Sequence, residues 1–262
     1  MRLEILHRPP TGESKGHVVL VHGACMAAWC WEDNYLPWFA AHGYDTHAVS
    51  LRNHGGSERT ATPRFTSVRA YAEDLAGTVE RLQGPVHLIG HSMGGLTIQH
   101  YLAGNPPEKV RRAVLLCSTV PHTDLSVVGR LLRDFPLPFL EANLRLSWRP
   151  VFRDPGRARR VMLSPGFPES GLKAILARMQ DESFLAFLQI LGLGRPDTSR
   201  VRVPLMVIGG GEDYLITEKA TRRMAATYGV EPHIVAGGPH NLMMSEGWER
   251  EAGRILAFFD SE

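Results

Sequence analysis

The sequence predicts an α/β protein with a mostly parallel, doubly wound sheet of six to eight strands and a helical cap inserted between two of them. Three observations predict this fold: short apolar runs, helical segments between those runs, and one long stretch where the alternation stops. The 262 residues, of which 44% are hydrophobic and 21% are charged, have the composition of a globular protein with one or two domains. Composition also excludes a disordered chain and a disulfide scaffold.

Six short apolar runs rich in β-branched residues are predicted to be buried strands. They are residues 18–21, 45–50, 86–90, 113–117, 205–208 and 233–236. Between them, apolar residues recur every three or four positions, a spacing typical of helices that pack on a sheet. These predicted helices are residues 31–42, 68–83, 96–103, 218–228 and 248–259. Strands that alternate with helices predict βαβ units and a parallel sheet.

Residues 121–199 interrupt this alternation. They contain eight prolines and helical patches at 172–179 and 184–191, but no convincing buried strand. Because long stretches without secondary structure are uncommon inside compact domains, we expect helices here. The predicted organisation is therefore a core of residues 1–120 and 200–262 and a helical cap of residues 121–199.

A possible nucleophile lies in the sequence Gly-His-Ser-Met-Gly at residues 90–94, which is followed by another glycine. The motif lies between a predicted strand and a predicted helix, as G-x-S-x-G requires. Ser92 must then occupy a strained turn, where Gly90 and Gly94 remove the Cβ atoms that would collide. The following helix directs unpaired amides and its dipole toward Ser92. We therefore predict that Ser92 is a nucleophile.

A serine hydroxyl needs a base that accepts its proton and a third group that orients the base. In sites of this kind the chain order is serine, acid, histidine. The histidines that follow Ser92 are His100, His122, His233 and His240. We favour His240, because it lies in a loop after the last predicted strand, where open α/β sheets place their sites.

The acid is expected beyond the strand at residues 205–208, which runs into three glycines and then Glu212 and Asp213. Either carboxylate can orient a histidine, and Asp124, after the preceding strand, is a further candidate. The acid keeps the imidazole in the correct tautomer and stabilises the imidazolium.

The developing oxyanion also needs hydrogen-bond donors. One is the backbone amide of Met93, the residue after the nucleophile. The other is expected in the loop that follows the first predicted strand, where His22 and Gly23 precede Ala24. Gly23 permits the tight turn that directs the Ala24 amide toward the site.

Together these motifs resemble the α/β-hydrolase superfamily, and the resemblance covers essentially the whole chain. In that family the acid lies a few residues beyond such a strand, which favours Asp213 over Glu212. Residues 51–57 are similar to a superfamily loop that often reads D-x-R-G-H-G-x-S, with Leu51 and Asn53 as variations. The segment at residues 121–199 matches the cap or lid that many members carry.

A closer similarity lies at residues 21–31, which resemble plant methylesterases and hydroxynitrile lyases, where HGACxGAWCW is common. Met26 and Ala27 stand where those proteins often have histidine and glycine. This resemblance implies a pocket for small carboxylic esters. The lyases use a lysine shortly before the catalytic histidine, and residues 231–239 contain none. Ser92 excludes members with an aspartate nucleophile.

Five residues are candidates for the substrate pocket, and two of them, Cys25 and Trp29, have an alternative role in the core. They are Cys25, Met26, Trp29, Leu131 and Phe135. The apolar run at residues 131–140 is expected to form the roof of an acyl pocket if buried, or a lipid contact if exposed.

The sequence thus predicts a serine hydrolase that cleaves carboxylic esters through an acyl-enzyme intermediate. Alternatives on the same triad are a thioesterase, a lysophospholipase or an enzyme similar to hydroxynitrile lyases. A ligand-binding receptor with the same fold is an alternative from another class. No HExxH pattern or phosphate-binding loop occurs, so we expect neither a metal nor a cofactor.

The expected partner is a small-molecule ester. A formal charge of +2 without a dense basic run predicts no nucleic-acid binding. No apolar run approaches the roughly 18 residues that span a bilayer, so stable membrane insertion is not expected. Three cysteines and the absence of a signal-peptide pattern at residues 1–10 favour the cytoplasm. The sequence leaves the oligomeric state open.

Overall fold

The structure, a computed structural model, describes residues 1–104 and 106–261. Within these ranges the strands are β1 (Ile5–Arg8), β2 (His17–Val21), β3 (Asp45–Val49), β4 (Val86–His91), β5 (Val110–Leu116), β6 (Leu205–Gly210) and β7 (Pro232–Val235). They form one sheet in the order β1-β3-β2-β4-β5-β6-β7. β1 is antiparallel to β3, and the other neighbouring pairs are parallel. The predicted α/β fold with a mostly parallel sheet is confirmed.

Strand β1 is the element that the apolar pattern does not predict. Its sequence is Ile-Leu-His-Arg, and its residues are half-buried or exposed because it is an edge strand. Pairing with β3 places Ile5 opposite Val49 and His7 opposite His47. An edge strand of this kind lacks the continuous apolar run by which buried parallel strands are recognised.

The helices are α1 (Tyr35–Ala41), α2 (Val68–Glu80), α3 (Met93–Ala103), α4 (Ser126–Asp134), α5 (Pro136–Arg145), α6 (Arg149–Phe152), α7 (Pro155–Met162), α8 (Glu169–Arg178), α9 (Phe184–Ile190), α10 (Glu218–Thr227) and α11 (Trp248–Asp260). Helix α1 begins later than predicted, because residues 28–31 form a separate 3-10 helix. In the described ranges, no helix combines the length and the apolar character needed to cross a membrane.

Helices cover both faces of the sheet. Leu20 of β2 packs in a cluster with Ile255 of α11, whereas the adjacent Val19 packs in another cluster with Leu75 of α2. Because side chains alternate along a strand, each buried strand needs an apolar layer on either side. The two clusters are these layers.

Residues 121–199 lie between β5 and β6 and are all described. They form the helices α4 to α9 and contain no strand. We call them the cap segment below. The segment follows the carboxyl end of β5, at the same end of the sheet at which β4 leads into α3.

Candidate active site

Ser92 lies between β4 and α3 with φ of 52° and ψ of −118°, in a region that non-glycine residues rarely occupy. The glycines around it make this turn possible. A Cβ atom on Gly90 would lie 2.6 Å from the Gly94 carbonyl oxygen, and one on Gly94 would collide with the Val21 carbonyl oxygen. The strained turn therefore places the Ser92 hydroxyl at the N-terminus of α3.

A chain of two hydrogen bonds joins Ser92 to His240 and Asp213. His240 Nε2 lies 3.0 Å from Ser92 Oγ, and His240 Nδ1 lies 2.8 Å from Asp213 Oδ2. The other Asp213 oxygen accepts hydrogen bonds from the Leu215 and Ile216 amides, each at 2.8 Å. With Nδ1–H donating to the fixed carboxylate, the Nε2 lone pair faces the serine hydroxyl.

The competing candidates lie elsewhere. His233 contacts Glu251 at 2.9 Å, and Glu212 is exposed while the adjacent Asp213 is buried. His122 and Asp124 are partly exposed at the beginning of the cap segment. Of the candidate bases and acids, the structure brings His240 and Asp213 to Ser92.

Two buried side chains hold the loop that carries His240. His91 Nε2–H donates to the His240 carbonyl oxygen at 3.1 Å, and burial lowers the pKa of His91 well below its usual value. The Cys117 thiol contacts the Pro239 carbonyl oxygen at 3.8 Å. Burial, followed by the charge of Asp213, raises the pKa of Cys117, so it remains a thiol rather than a competing nucleophile.

The loop after β2 is fixed by His22. Its Nε2 accepts the Leu51 amide hydrogen at 3.1 Å, so its proton resides on Nδ1, which donates to the Gly23 carbonyl oxygen at 2.8 Å. Burial lowers the pKa of His22 to about 3, and the ring stays neutral. A Cβ on Gly23 would lie 2.6 Å from His91 Nδ1, which explains the glycine.

The two predicted oxyanion donors both belong to residues near Ser92. Met93 is the first residue of α3, and Ala24 lines the same cavity as Ser92. Within the described part of the chain, neither amide donates to a protein acceptor. Both N–H groups are therefore available to a ligand.

The cavity beside Ser92 is largely apolar, and more than half of its lining residues belong to the cap segment. Of the predicted pocket residues, Cys25 and Leu131 line it together with Ser92. Trp148 and Phe187, which the sequence analysis missed, form another part of the wall; their ring centroids are 3.5 Å apart and their planes are tilted by 33°.

The other three predicted pocket residues are not among those that line this cavity. Met26 is 2% exposed in the core cluster that contains Leu20. The Arg178 guanidinium lies over the Trp29 ring, with its Cζ 5.0 Å from the ring centroid. Phe135 packs against Tyr214 at 6.1 Å. Their apolar character is used in packing of the core and the cap segment.

The apolar run at residues 131–140 divides between the cavity and the surface. Leu131 is 2% exposed, whereas Leu132, Leu137 and Leu140 are 50%, 76% and 55% exposed. Residues three and four apart share one helix face, so α4 directs Leu131 inward and its neighbour outward.

Glu182 is a charged residue of the site that the sequence analysis missed. It lines the cavity from the cap segment and accepts a hydrogen bond from the Cys25 amide at 3.2 Å. Nothing local in the sequence marks this residue, because the partners that tie it to the rest of the site, Cys25 and Tyr71, lie more than 100 residues away.

A serine on a strand-to-helix turn, aligned with a histidine and an aspartate at the carboxyl end of a parallel sheet, is the arrangement of serine hydrolases with the α/β-hydrolase fold. The chain belongs to the alpha/beta hydrolase family, whose family model matches residues 18–253.

Comparison with known proteins agrees with this family. Methylesterase 1 of Arabidopsis thaliana is 29% identical over 230 residues, covering 82% of this chain and 85% of the relative. Pyrethroid hydrolase of Sphingobium wenxiniae is 30% identical over 254 residues, covering 93% and 88%. The crystal structure of a putative aryl esterase from Burkholderia cenocepacia superposes with a TM-score of 0.73 at 20% identity, covering 98% and 93%. This last similarity concerns the fold alone.

Proposed function

We propose that this chain hydrolyses carboxylic esters with Ser92, His240 and Asp213 as a catalytic triad. The observation that carries the proposal is the line of contacts at 3.0 Å and 2.8 Å through His240. Relatives named methylesterase and pyrethroid hydrolase support an ester as the substrate.

In the first half-reaction, Ser92 Oγ attacks the ester carbonyl carbon while His240 Nε2 accepts the hydroxyl proton. Asp213 keeps the imidazole in the required tautomer and stabilises the imidazolium. The proton then passes to the leaving alcohol. In the second half-reaction, His240 activates a water molecule, which releases the acid and regenerates Ser92.

The amides of Ala24 and Met93 are proposed to stabilise the oxyanion. Met93 follows Ser92 at the first position of α3, Ala24 lines the same cavity as Ser92, and the N-terminal end of α3 favours negative charge there. The proposed chemistry requires neither a metal nor a cofactor.

The apolar cavity formed by the cap segment is proposed to hold the acyl or alcohol group of a small ester. Its wall includes Leu131, Trp148 and Phe187. We also propose a cytoplasmic location, because the three cysteines are buried free thiols, which a reducing compartment maintains.

The test is a panel of p-nitrophenyl esters from acetate to palmitate, measured with the wild type and with Ser92→Ala. We expect turnover by the wild type and a loss of roughly 10⁴- to 10⁶-fold in the variant. Ser199→Ala, which alters an exposed serine hydroxyl near the end of the cap segment, is the matched control and should retain full activity.

Retention of activity in a folded Ser92→Ala variant would refute the triad. Tight ligand binding with a single slow turnover would instead indicate a receptor. A wild type that is inactive on every ester but active on thioesters would move the substrate to the thioesterase class.

A further inference from the structure

The sheet register places three histidines and an aspartate on one face, at the end of the sheet opposite Ser92. In the β2–β3 pair His17 is opposite Asp45, and in the β1–β3 pair His7 is opposite His47. Because Asp45 and His47 are two residues apart on β3, their side chains share a face. His17 and Asp45 begin their strands, whereas Ser92 follows the carboxyl end of β4.

Three donor atoms of this group form a compact triangle. His17 Nδ1 lies 3.2 Å from His47 Nε2 and 3.4 Å from Asp45 Oδ2, and His47 Nε2 lies 3.7 Å from the same oxygen. Tetrahedral Zn²⁺ with bonds of about 2.0 to 2.1 Å separates its ligand atoms by about 3.3 Å. The triangle therefore has the size of one face of a tetrahedral zinc site.

The tautomer of His17 suits a metal ligand. Its Nε2 lies 2.7 Å from the Gln83 carbonyl oxygen, which can only accept, so the proton resides on Nε2. In the neutral ring, Nδ1 then carries a lone pair directed at His47 and Asp45. A backbone carbonyl that holds the outer nitrogen is the usual support of a metal-binding histidine.

The remaining groups complete this arrangement. His47 Nε2 faces His17 Nδ1 and Asp45 Oδ2, and it can ligate an ion when the proton of the ring is on Nδ1. His7 Nε2 contacts the other Asp45 oxygen at 2.5 Å and its ring stacks on His47. A nitrogen of His7 also lies within 4.8 Å of the donor atoms of Asp45 and His47, but its hydrogen bond to Asp45 assigns it to orienting that carboxylate.

We propose that His17, Asp45 and His47 bind a divalent transition-metal ion such as Zn²⁺, with His7 as a positioning residue that orients the Asp45 carboxylate. Two imidazoles and one carboxylate favour zinc and its transition-metal neighbours over Mg²⁺ or Ca²⁺, which prefer oxygen ligands. The Asp45 side chain is 23% exposed, so an ion and a water ligand can reach the site.

The consequence is structural rather than catalytic. The ligands come from β2 and β3, and His7 comes from the edge strand β1. An ion that binds the folded chain and not the unfolded one raises its stability. We therefore expect Zn²⁺ to stabilise this edge of the sheet without changing ester turnover at Ser92.

The test uses the full chain without a polyhistidine tag, stripped of metal with a chelator and titrated with Zn²⁺ by calorimetry. Co²⁺ serves as a second probe, because its visible absorption reports tetrahedral coordination. Asp45→Asn and His47→Gln each remove a ligand, and His17→Gln is a third variant in case one of these fails to fold. His42→Gln, which changes an exposed histidine outside the group, is the matched control.

We expect the wild type to bind one Zn²⁺ per chain. The Zn²⁺ affinity should fall at least ~10-fold in each ligand variant and ~10-fold or more in His7→Gln. The control should bind Zn²⁺ like the wild type. Zn²⁺ should raise the thermal midpoint of the wild type and of the control, but not that of the ligand variants. No saturable binding would overturn the proposal. Binding lost in His240→Gln but kept in His47→Gln would also overturn it, because Cys117, Asp213 and His240 form a second group of possible ligands.

Discussion

Glu182 of the cap segment and His54 of the loop after β3 form an ion pair at 3.0 Å, with each side chain 1% exposed. The second carboxylate oxygen of Glu182 accepts the Tyr71 hydroxyl hydrogen at 2.7 Å. The oxygen that contacts His54 also accepts the Cys25 amide hydrogen. Because Cys25 follows Ala24, one carboxylate ties the cap segment to the loop proposed to stabilise the oxyanion.

Glu182→Gln should therefore lower both stability and activity. Removing one charge of a buried pair leaves the other without compensation, and we expect a loss of roughly 3 kcal/mol in the free energy of unfolding. The weaker anchor at Cys25 should lower kcat more than it raises KM. Urea unfolding and steady-state kinetics measure the two effects.

The matched control for this substitution is Glu169→Gln. Glu169 also lies in the cap segment, but its ion pair with Arg159 is at the surface, and exposed pairs contribute at most about 1 kcal/mol. Equal losses in the two variants would contradict the role assigned to Glu182.

The same ion pair predicts how stability depends on pH. Burial alone would lower the pKa of His54. The charge of Glu182 and its hydrogen bond have the larger combined effect, and they raise the pKa of His54 above its usual 6.5. The His54 charge, with hydrogen bonds from His54, Tyr71 and Ser183, lowers the pKa of Glu182 below its usual 4.5.

The sign of each contribution follows from linkage. The raised pKa of His54 stabilises the fold below pH 6.5, and this contribution disappears as the pH rises through the folded value. The lowered pKa of Glu182 stabilises the fold above pH 4.5 and is lost as the pH falls through its folded value. The difference in unfolding free energy between the wild type and Glu182→Gln should therefore be largest between these two pH values. If the difference in unfolding free energy between the two proteins did not change with pH from about 4 to about 9, the linkage would be excluded.

The sequence predicts those features whose physical cause is local. A strand buried on both faces needs a continuous apolar run, so β2 and β4 to β6 can be recognised without their neighbours. The turn at Ser92 needs glycines within two residues, and its placement between a strand and a helix is visible in the sequence. The strand that it follows likewise favours His240, whereas Asp213 is preferred to Glu212 only through the family resemblance.

Features that depend on distant partners could not be predicted. Glu182 gains its role from Cys25 and His54, which precede it by more than 100 residues. The group of His17, Asp45 and His47 requires the register of β2 against β3, which separate apolar patterns do not fix. Helical spacing in the cap segment likewise does not indicate which face meets the cavity.

Gly94→Ala should disrupt the strained turn at Ser92. The added Cβ would meet two backbone carbonyl oxygens, those of Val21 and His22, which cannot rotate away. We expect a loss of about 1 to 3 kcal/mol in stability and a large fall in kcat. Gly77→Ala in α2 is the matched control, since nothing lies within 4 Å of its Cβ.

In the control, alanine should stabilise the helix by about 1 kcal/mol. Thermal unfolding measures the stability of both variants, and ester turnover measures their kcat. If Gly94→Ala proved as stable and as active as Gly77→Ala, the close approach of α3 to β2 would not constrain residue 94.

Leu131→Ala should widen the cavity beside Ser92. Leu131 is 2% exposed and lines this cavity, whereas the adjacent Leu132 is 50% exposed, so Leu132→Ala is a control of identical chemistry. Truncating the buried leucine should cost about 2 to 3 kcal/mol of stability and raise kcat/KM for long acyl chains relative to acetate. The control should change neither quantity. If both variants kept the chain-length profile of the wild type, substrate acyl groups would not occupy the space next to Leu131, and the alcohol portion of the ester would have to lie there instead.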